Sequence, residues 1–197
     1  MVAMNIDINQ IVDGLRYTGY PAPPDKVFIK VPNAEAYLRR CLDHFTASKS
    51  VWNEHNYRPI VEWLTDNHGK GLLLAGGCGL GKTLIGMRCL PVIINHACRK
   101  IVSCYSAQDL AKRPDDVIAK HIIYIDDIGT ECVSNIYGNK RIPFSELCDA
   151  AEQKGKLLII TTNCDVEHLS EKYGERTVDR LRAITKYVPL TGKSLRQ

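Results

Sequence analysis

No two of the eight cysteines, at positions 41, 78, 89, 98, 104, 132, 148 and 164, stand the two to four residues apart that a zinc knuckle or a redox pair needs. They read as reduced core residues of a cytoplasmic protein. Met1 to Asp7 carry no basic segment leading into an apolar one, so no secretory signal is expected there. The longest apolar stretches are broken by Lys82 and Arg88 before they reach bilayer-spanning length, so no membrane partner is expected. Internal repeats and low-complexity segments are missing, and so is a strong charge of one sign. The 26 Lys and Arg stand against 22 Asp and Glu, and a net charge of +4 does not by itself nominate a nucleic-acid partner. With 45% hydrophobic and 24% charged residues over 197 positions, the composition excludes disorder and collagen-like repeats and leaves one domain with a sizeable core.

Residues 1 to about 32 show no periodic pattern and carry proline at 21, 23, 24 and 32, which predicts an extended arm with turns. From Ala34 to Phe45 apolar residues recur at three and four, predicting an amphipathic helix capped by Asn33. A second helix is expected from about Arg58 to Asn67, stopped by His68-Gly69. The pattern then changes to short continuous apolar runs at 71–75, 101–105, 122–125, 157–160 and 187–190, with helical stretches between them. Runs without polar alternation predict strands covered on both faces, hence a parallel sheet wrapped by helices.

Gly76-Gly77-Cys78-Gly79-Leu80-Gly81-Lys82-Thr83 fits the phosphate-loop pattern G-x-x-x-x-G-K-[ST] and lies between an expected strand and an expected helix. Such glycines let backbone N–H groups converge on phosphate oxygens, and the helix N-terminus adds partial positive charge. Lys82 is expected to reach the β- and γ-phosphates and Thr83 to ligate Mg²⁺, with Leu84 completing the phosphate site at the start of the helix. Pro91 should kink that helix or divide it.

The run Ile122 to Ile125 ends in Asp126-Asp127. Asp126 is expected to hold Mg²⁺ and Asp127 to orient or deprotonate the attacking water, with Glu131 in reserve. Asn163 follows the 157–160 strand, where it could bond the γ-phosphate or the lytic water, or instead cap the helix beginning near Asp165. Arg176 and Arg180 lie one turn apart on an expected helix, either as part of a surface ion-pair network with Asp179 or as an arginine finger for nucleotide in a neighbouring subunit. Lys140 and Arg141 are the candidate DNA contacts, and the segment 181–197 is basic.

In this order, Gly76–Thr83, Ile122–Asp127 with Ile128-Gly129, Ile159–Asn163, Gly174-Glu175-Arg176 with Asp179-Arg180-Leu181, and Gly192-Lys193-Ser194-Leu195-Arg196 resemble the AAA+ ATPases of the DnaC/DnaI helicase-loader group. IstB-type transposition helpers share that core. The resemblance implies an α/β P-loop NTPase fold: a five-stranded parallel sheet between helices, a small N-terminal helical appendage over 1–54, an ATPase domain over 55–197 and no full helical lid. It makes Lys82 and Thr83 the Walker A residues, Asp126 and Asp127 Walker B, Asn163 the sensor-1 position, Arg180 with Arg176 the arginine-finger region, and Arg196 a sensor-2-like residue touching ATP. The chain departs from the group in its short N-terminal segment and in carrying Asp, not Glu, as the second Walker B acid.

The function so implied is an ATPase of DNA replication whose nucleotide state controls self-assembly and single-stranded DNA binding in the service of a replicative helicase. A transposition helper is the alternative from the same core. A P-loop kinase of small molecules would need an acceptor pocket and a basic lid, and neither is visible between Asp127 and Asn163. A scaffold that binds ATP without hydrolysing it would look the same in sequence.

Overall fold

The computed structural model describes residues 7–15, 18–20, 23–48, 51–131, 135–136 and 139–192, the last two segments in backbone alone as far as residue 140. Arg196 and Cys132 lie outside the described residues.

Five parallel strands form the central sheet: β1 (Gly71–Ala75), β2 (Ser103–Ser106), β3 (Ile122–Ile128), β6 (Leu157–Thr162) and β7 (Thr185–Pro189), in the spatial order β2-β3-β6-β1-β7. Two short antiparallel strands, β4 (Asn135–Ile136) and β5 (Asn139–Lys140), stand apart from it. The side chains of β1 alternate between two apolar clusters, as the two-residue period of a strand requires. Leu72 and Leu74 join Tyr124, Ile159 and Val188 on one face, under α2 (Ala34–Phe45), α3 (Glu54–Thr65) and α4 (Leu90–Cys98). Leu73 joins Ile123, Ile125, Leu158 and Ile160 on the other, under α5 (Ala107–Lys112), α6 (Pro114–Ile118), α7 (Pro143–Lys154), α8 (Val166–Tyr173) and α9 (Glu175–Ile184). The central strands are buried along their length because helices cover both faces, which is why they read as unbroken apolar runs. No helix among the described residues is long and apolar enough to cross a membrane.

Several elements differ from the sequence reading. The N-terminal arm contains a helix, α1 (Ile8–Leu15), with Ile8, Ile11 and Leu15 exposed on it. Residues 27–31 run as extended chain whose Val27, Ile29 and Val31 enter the same cluster as α2 and β1. Asn33 precedes α2 in a left-handed conformation and makes no side-chain cap. The second helix begins four residues early, at Glu54, because the Asn53 side chain accepts a hydrogen bond from the Asn56 N–H; it continues through Pro59. The second strand starts at Ser103 rather than Ile101, whose side chain is exposed.

The helix after the phosphate loop does not simply kink at Pro91. Leu84–Cys89 form a π-helical segment in which the N–H of Leu90 donates to the carbonyl of Ile85, five residues back. Pro91, which has no N–H to give, then sits in the first turn of α4.

Candidate nucleotide site

The carboxyl ends of β1, β3 and β6 deliver the expected residues to one edge of the sheet. β1 runs into the phosphate loop, where Gly76 takes φ of 147° and its Cα packs against the carbonyl of Leu190; a Cβ there would lie 2.4 Å from that oxygen. Lys82 is 6% exposed. Its Nζ donates to the carbonyls of Gly76 at 2.7 Å and Gly77 at 2.8 Å, and to Asn163 Oδ1 at 2.7 Å. Cys78 to Leu84, Asp127 and Asn163 line a crevice of about 350 Å³.

Asp126 and Asp127 are adjacent, and in a regular strand their side chains would point to opposite faces. The structure resolves this with an irregularity in the β3–β6 register between Ile125 and Ile128, together with φ of 60° at Asp127. That left-handed backbone is costly for a non-glycine residue, and it is held by a hydrogen bond from the Asp127 N–H to Thr161 Oγ1 at 2.8 Å. Asp127 consequently joins the phosphate-loop crevice, where its carboxylate accepts from Asn163 Nδ2.

Asp126 is ordered by hydroxyl groups. Thr83 Oγ1 donates to its Oδ1 at 3.0 Å, Thr161 Oγ1 donates to the same oxygen at 2.8 Å, and the Tyr124 phenol donates to it as well. Burial, and then the Asp126 carboxylate, push the Tyr124 phenol well above the usual tyrosine range and keep it a neutral donor. The Thr83 hydroxyl and Asp126 make a compact set of hard oxygen donors, which fits Mg²⁺.

Asn163 does not cap the following helix. Asp165 does, accepting from the His168 N–H at 2.9 Å. Glu131 is tied elsewhere, accepting from the Tyr173 phenol and from the Gly129 N–H at 3.0 Å, and it does not line the crevice.

Of the arginines on α9, Arg176 and Arg180 differ sharply. Arg180 pairs with Asp149 and, at 2.8 Å, with Glu152, both on α7. Arg176 is exposed, makes no ion pair among the described residues, and lines an open depression with Glu167, Ser170 and Asp179. The network anticipated between Arg176 and Asp179 is not formed; the pairing runs from Arg180 to α7. Arg141 likewise joins α6 to α7, donating to Asp115 at 2.9 Å and Glu146 at 2.6 Å. The side chain of Lys140 lies outside the described residues.

No family model matches the sequence, and no curated protein matches it. Solved structures do match. The DnaC helicase loader superposes with a TM-score of 0.54 at 18% identity, covering 82% of this chain and 93% of that one. DnaI gives 0.50 at 16% identity, covering 81% and 86%. The replication initiator DnaA, bound to AMPPCP and single-stranded DNA, gives 0.54 at 15% identity, covering 73% of this chain and 49% of that one. The chain shares the fold of the DnaC helicase loader.

Within this fold the sequence reading missed a second crevice, of about 530 Å³, which shares Leu80 with the first. Val51 to Tyr57, Thr191 and Gly192 line it. Trp52 carries the Arg39 guanidinium over its ring, 3.7 Å from the ring centre, and meets the Tyr57 ring in a tilted contact at 5.0 Å. The buried Asn56 ties the crevice to the end of the sheet, donating to the Thr191 carbonyl at 2.8 Å and accepting from the Thr191 N–H at 3.0 Å. Asn53 ahead of an apolar-periodic run was the available signal for this element. Tyr124 and Thr161 were missed too, because they read as strand filler.

Proposed function

We propose that this protein binds and hydrolyses ATP and serves DNA replication in the manner of a helicase loader, acting in the cytoplasm. The observation that carries this reading is the convergence of Lys82, Thr83, Asp127 and Asn163 on one crevice from three separate strand ends, with Asp126 bonded to Thr83 beside it. The DnaC-type fold supports the replication role over that of a small-molecule kinase.

In this reading the loop from Gly76 to Gly81 wraps the phosphates, and Lys82 exchanges its loop carbonyls for phosphate oxygens. Leu80 separates the phosphate crevice from the Trp52–Tyr57 crevice, which takes the nucleoside. Thr83 and Asp126 hold Mg²⁺, which when bound offsets the phosphate charge. Asp127 accepts a proton from the attacking water while Asn163 fixes both the carboxylate and the water. Arg196 approaches ATP from the C-terminal segment.

The charge on the transferred phosphoryl group is met by an arginine of a neighbouring subunit, so that hydrolysis depends on assembly. Arg176 can do this without breaking a contact, whereas Arg180 must first leave Asp149 and Glu152. ATP-dependent assembly along single-stranded DNA, with delivery of a replicative helicase, completes the proposal. The test is ATP turnover per subunit as a function of protein concentration, with and without single-stranded DNA. Turnover rising with both is expected; turnover indifferent to both removes the loader mechanism.

A further inference from the structure

We propose that Tyr124 is a positioning residue that leaves Asp126 one free carboxylate oxygen for a divalent cation, and thereby favours Mg²⁺ over Ca²⁺. The inference rests on the reading of the crevice as a Mg·ATP site.

Tyr124 and Asp126 share a face of β3, so the phenol extends along the strand to the carboxylate two residues on. The ring is fully buried. Opposite it lies Gly86, in the π-helical segment, where a Cβ would come within 2.3 Å of the ring. The helix after the phosphate loop therefore makes room for this ring, and the ring has no room to swing away. A buried hydroxyl is costly unless it is bonded, and this one donates to Asp126 Oδ1.

That oxygen also accepts from Thr161 at 2.8 Å and Thr83 at 3.0 Å. A carboxylate oxygen offers about two lone-pair directions, and Tyr124 and Thr161, both set in the sheet, occupy them. Among the described residues Oδ2 meets only the Thr83 hydroxyl, at 3.3 Å. A carboxylate with one saturated oxygen cannot chelate. Ca²⁺ takes six to eight oxygens and uses bidentate carboxylates, whereas Mg²⁺ keeps its waters and takes one oxygen at a time. Tyr124 thus denies Asp126 to the larger ion in its preferred mode.

The test uses the full chain loaded with a non-hydrolysable ATP analogue and Mn²⁺ as a paramagnetic probe. Mg²⁺ and Ca²⁺ are each titrated against Mn²⁺ in wild type, Tyr124→Phe and Thr161→Val. Tyr124→Phe removes only the hydroxyl, and the ratio of the two competition constants should move about fivefold or more towards Ca²⁺, as expected for loss of a hydrogen bond to a charged group. Thr161→Val should move it the same way and gives the readout if the first variant does not fold. Analogue affinity in the presence of a chelator, measured alongside, should stay within about twofold of wild type in Tyr124→Phe. An unchanged ratio in variants that still bind the analogue and Mn²⁺ overturns the role of Tyr124 while leaving the site intact. Failure of wild type to bind the analogue with any metal overturns the site reading and this inference with it.

Discussion

Asn163 accepts a hydrogen bond from Lys82 at 2.7 Å, although 81 positions separate them in the chain. The asparagine donates in turn to Asp127, so a single side chain joins the phosphate loop to the end of β3. Lys82 is thereby held by three oxygens at the mouth of the crevice, and an incoming phosphate has only to replace them with its own.

Replacing either end of this connection should separate binding from chemistry. Lys82→Ala should abolish ATP binding at micromolar nucleotide. Asn163→Ala should bind ATP within a few-fold of wild type yet lose about a hundredfold in turnover, the usual cost of removing one preorganised polar contact to the reacting groups. Equilibrium binding of a fluorescent ATP analogue beside steady-state phosphate release measures both. Equal losses in binding and turnover for Asn163→Ala would contradict a role in the chemical step.

Arg176 and Arg180 should part company. Arg180→Ala leaves Asp149 and Glu152 without their cation, and the pairs are only partly exposed, so stability should fall by about 1 kcal/mol. Arg176→Ala breaks no ion pair and should leave the melting temperature unchanged while removing the rise of turnover with protein concentration. Thermal melts and turnover at two protein concentrations check the pair. A stable Arg180→Ala variant that lost the concentration dependence, beside an unaffected Arg176→Ala, would reverse the assignment.

Cys78 is exposed in the phosphate loop and lines the crevice. Iodoacetamide should label it readily in the nucleotide-free protein. Mg·ATP should slow that labelling by an order of magnitude or more if the affinity for nucleotide is well below the ATP concentration used. Peptide mass spectrometry reads the site directly, and undiminished labelling at saturating ATP counts against nucleotide in this loop. The buried Cys148, its thiol pushed up by desolvation, should remain unlabelled in either state.

The start of α8 carries a pH signature. The hydrogen bond to Asp165, and then its charge, hold the His168 imidazolium above 6.5, while the Asp165 carboxyl is held below 3.8 by the His168 N–H and ring. The raised histidine contributes stability at pH below its unfolded value, and that contribution is lost as pH rises through the folded value. The lowered aspartate contributes above about pH 4 and loses its contribution as pH falls through its folded value. The pair is therefore at its best between these two ranges. An NMR titration of the His168 ring should give a midpoint above 6.5 that drops in Asp165→Ala; an unshifted midpoint would show that the pair does not form in solution.

Local chemistry was enough for much of this protein. The phosphate loop, the acids after an apolar run and the buried central strands could be seen in the sequence because each depends on neighbours: glycine spacing, a covered strand's unbroken apolarity, a helix's three-four period. Even so, the sequence reading gives no helix at α1 and starts α3 at Arg58, past the Asn53 cap. What tertiary structure alone decided was orientation and partnership. Asp127 enters the phosphate-loop crevice, next to an Asp126 bonded to Thr83, through the irregular pairing of β3 with β6, a relation between segments more than thirty residues apart. Arg176 and Arg180 look equivalent on a helical wheel and are told apart by α7, which captures one and leaves the other in solvent. Tyr124 reads as strand filler until Gly86 and Asp126 are set around it. Sequence periodicity reports which face a residue occupies; what lies across from that face is settled when distant segments pack.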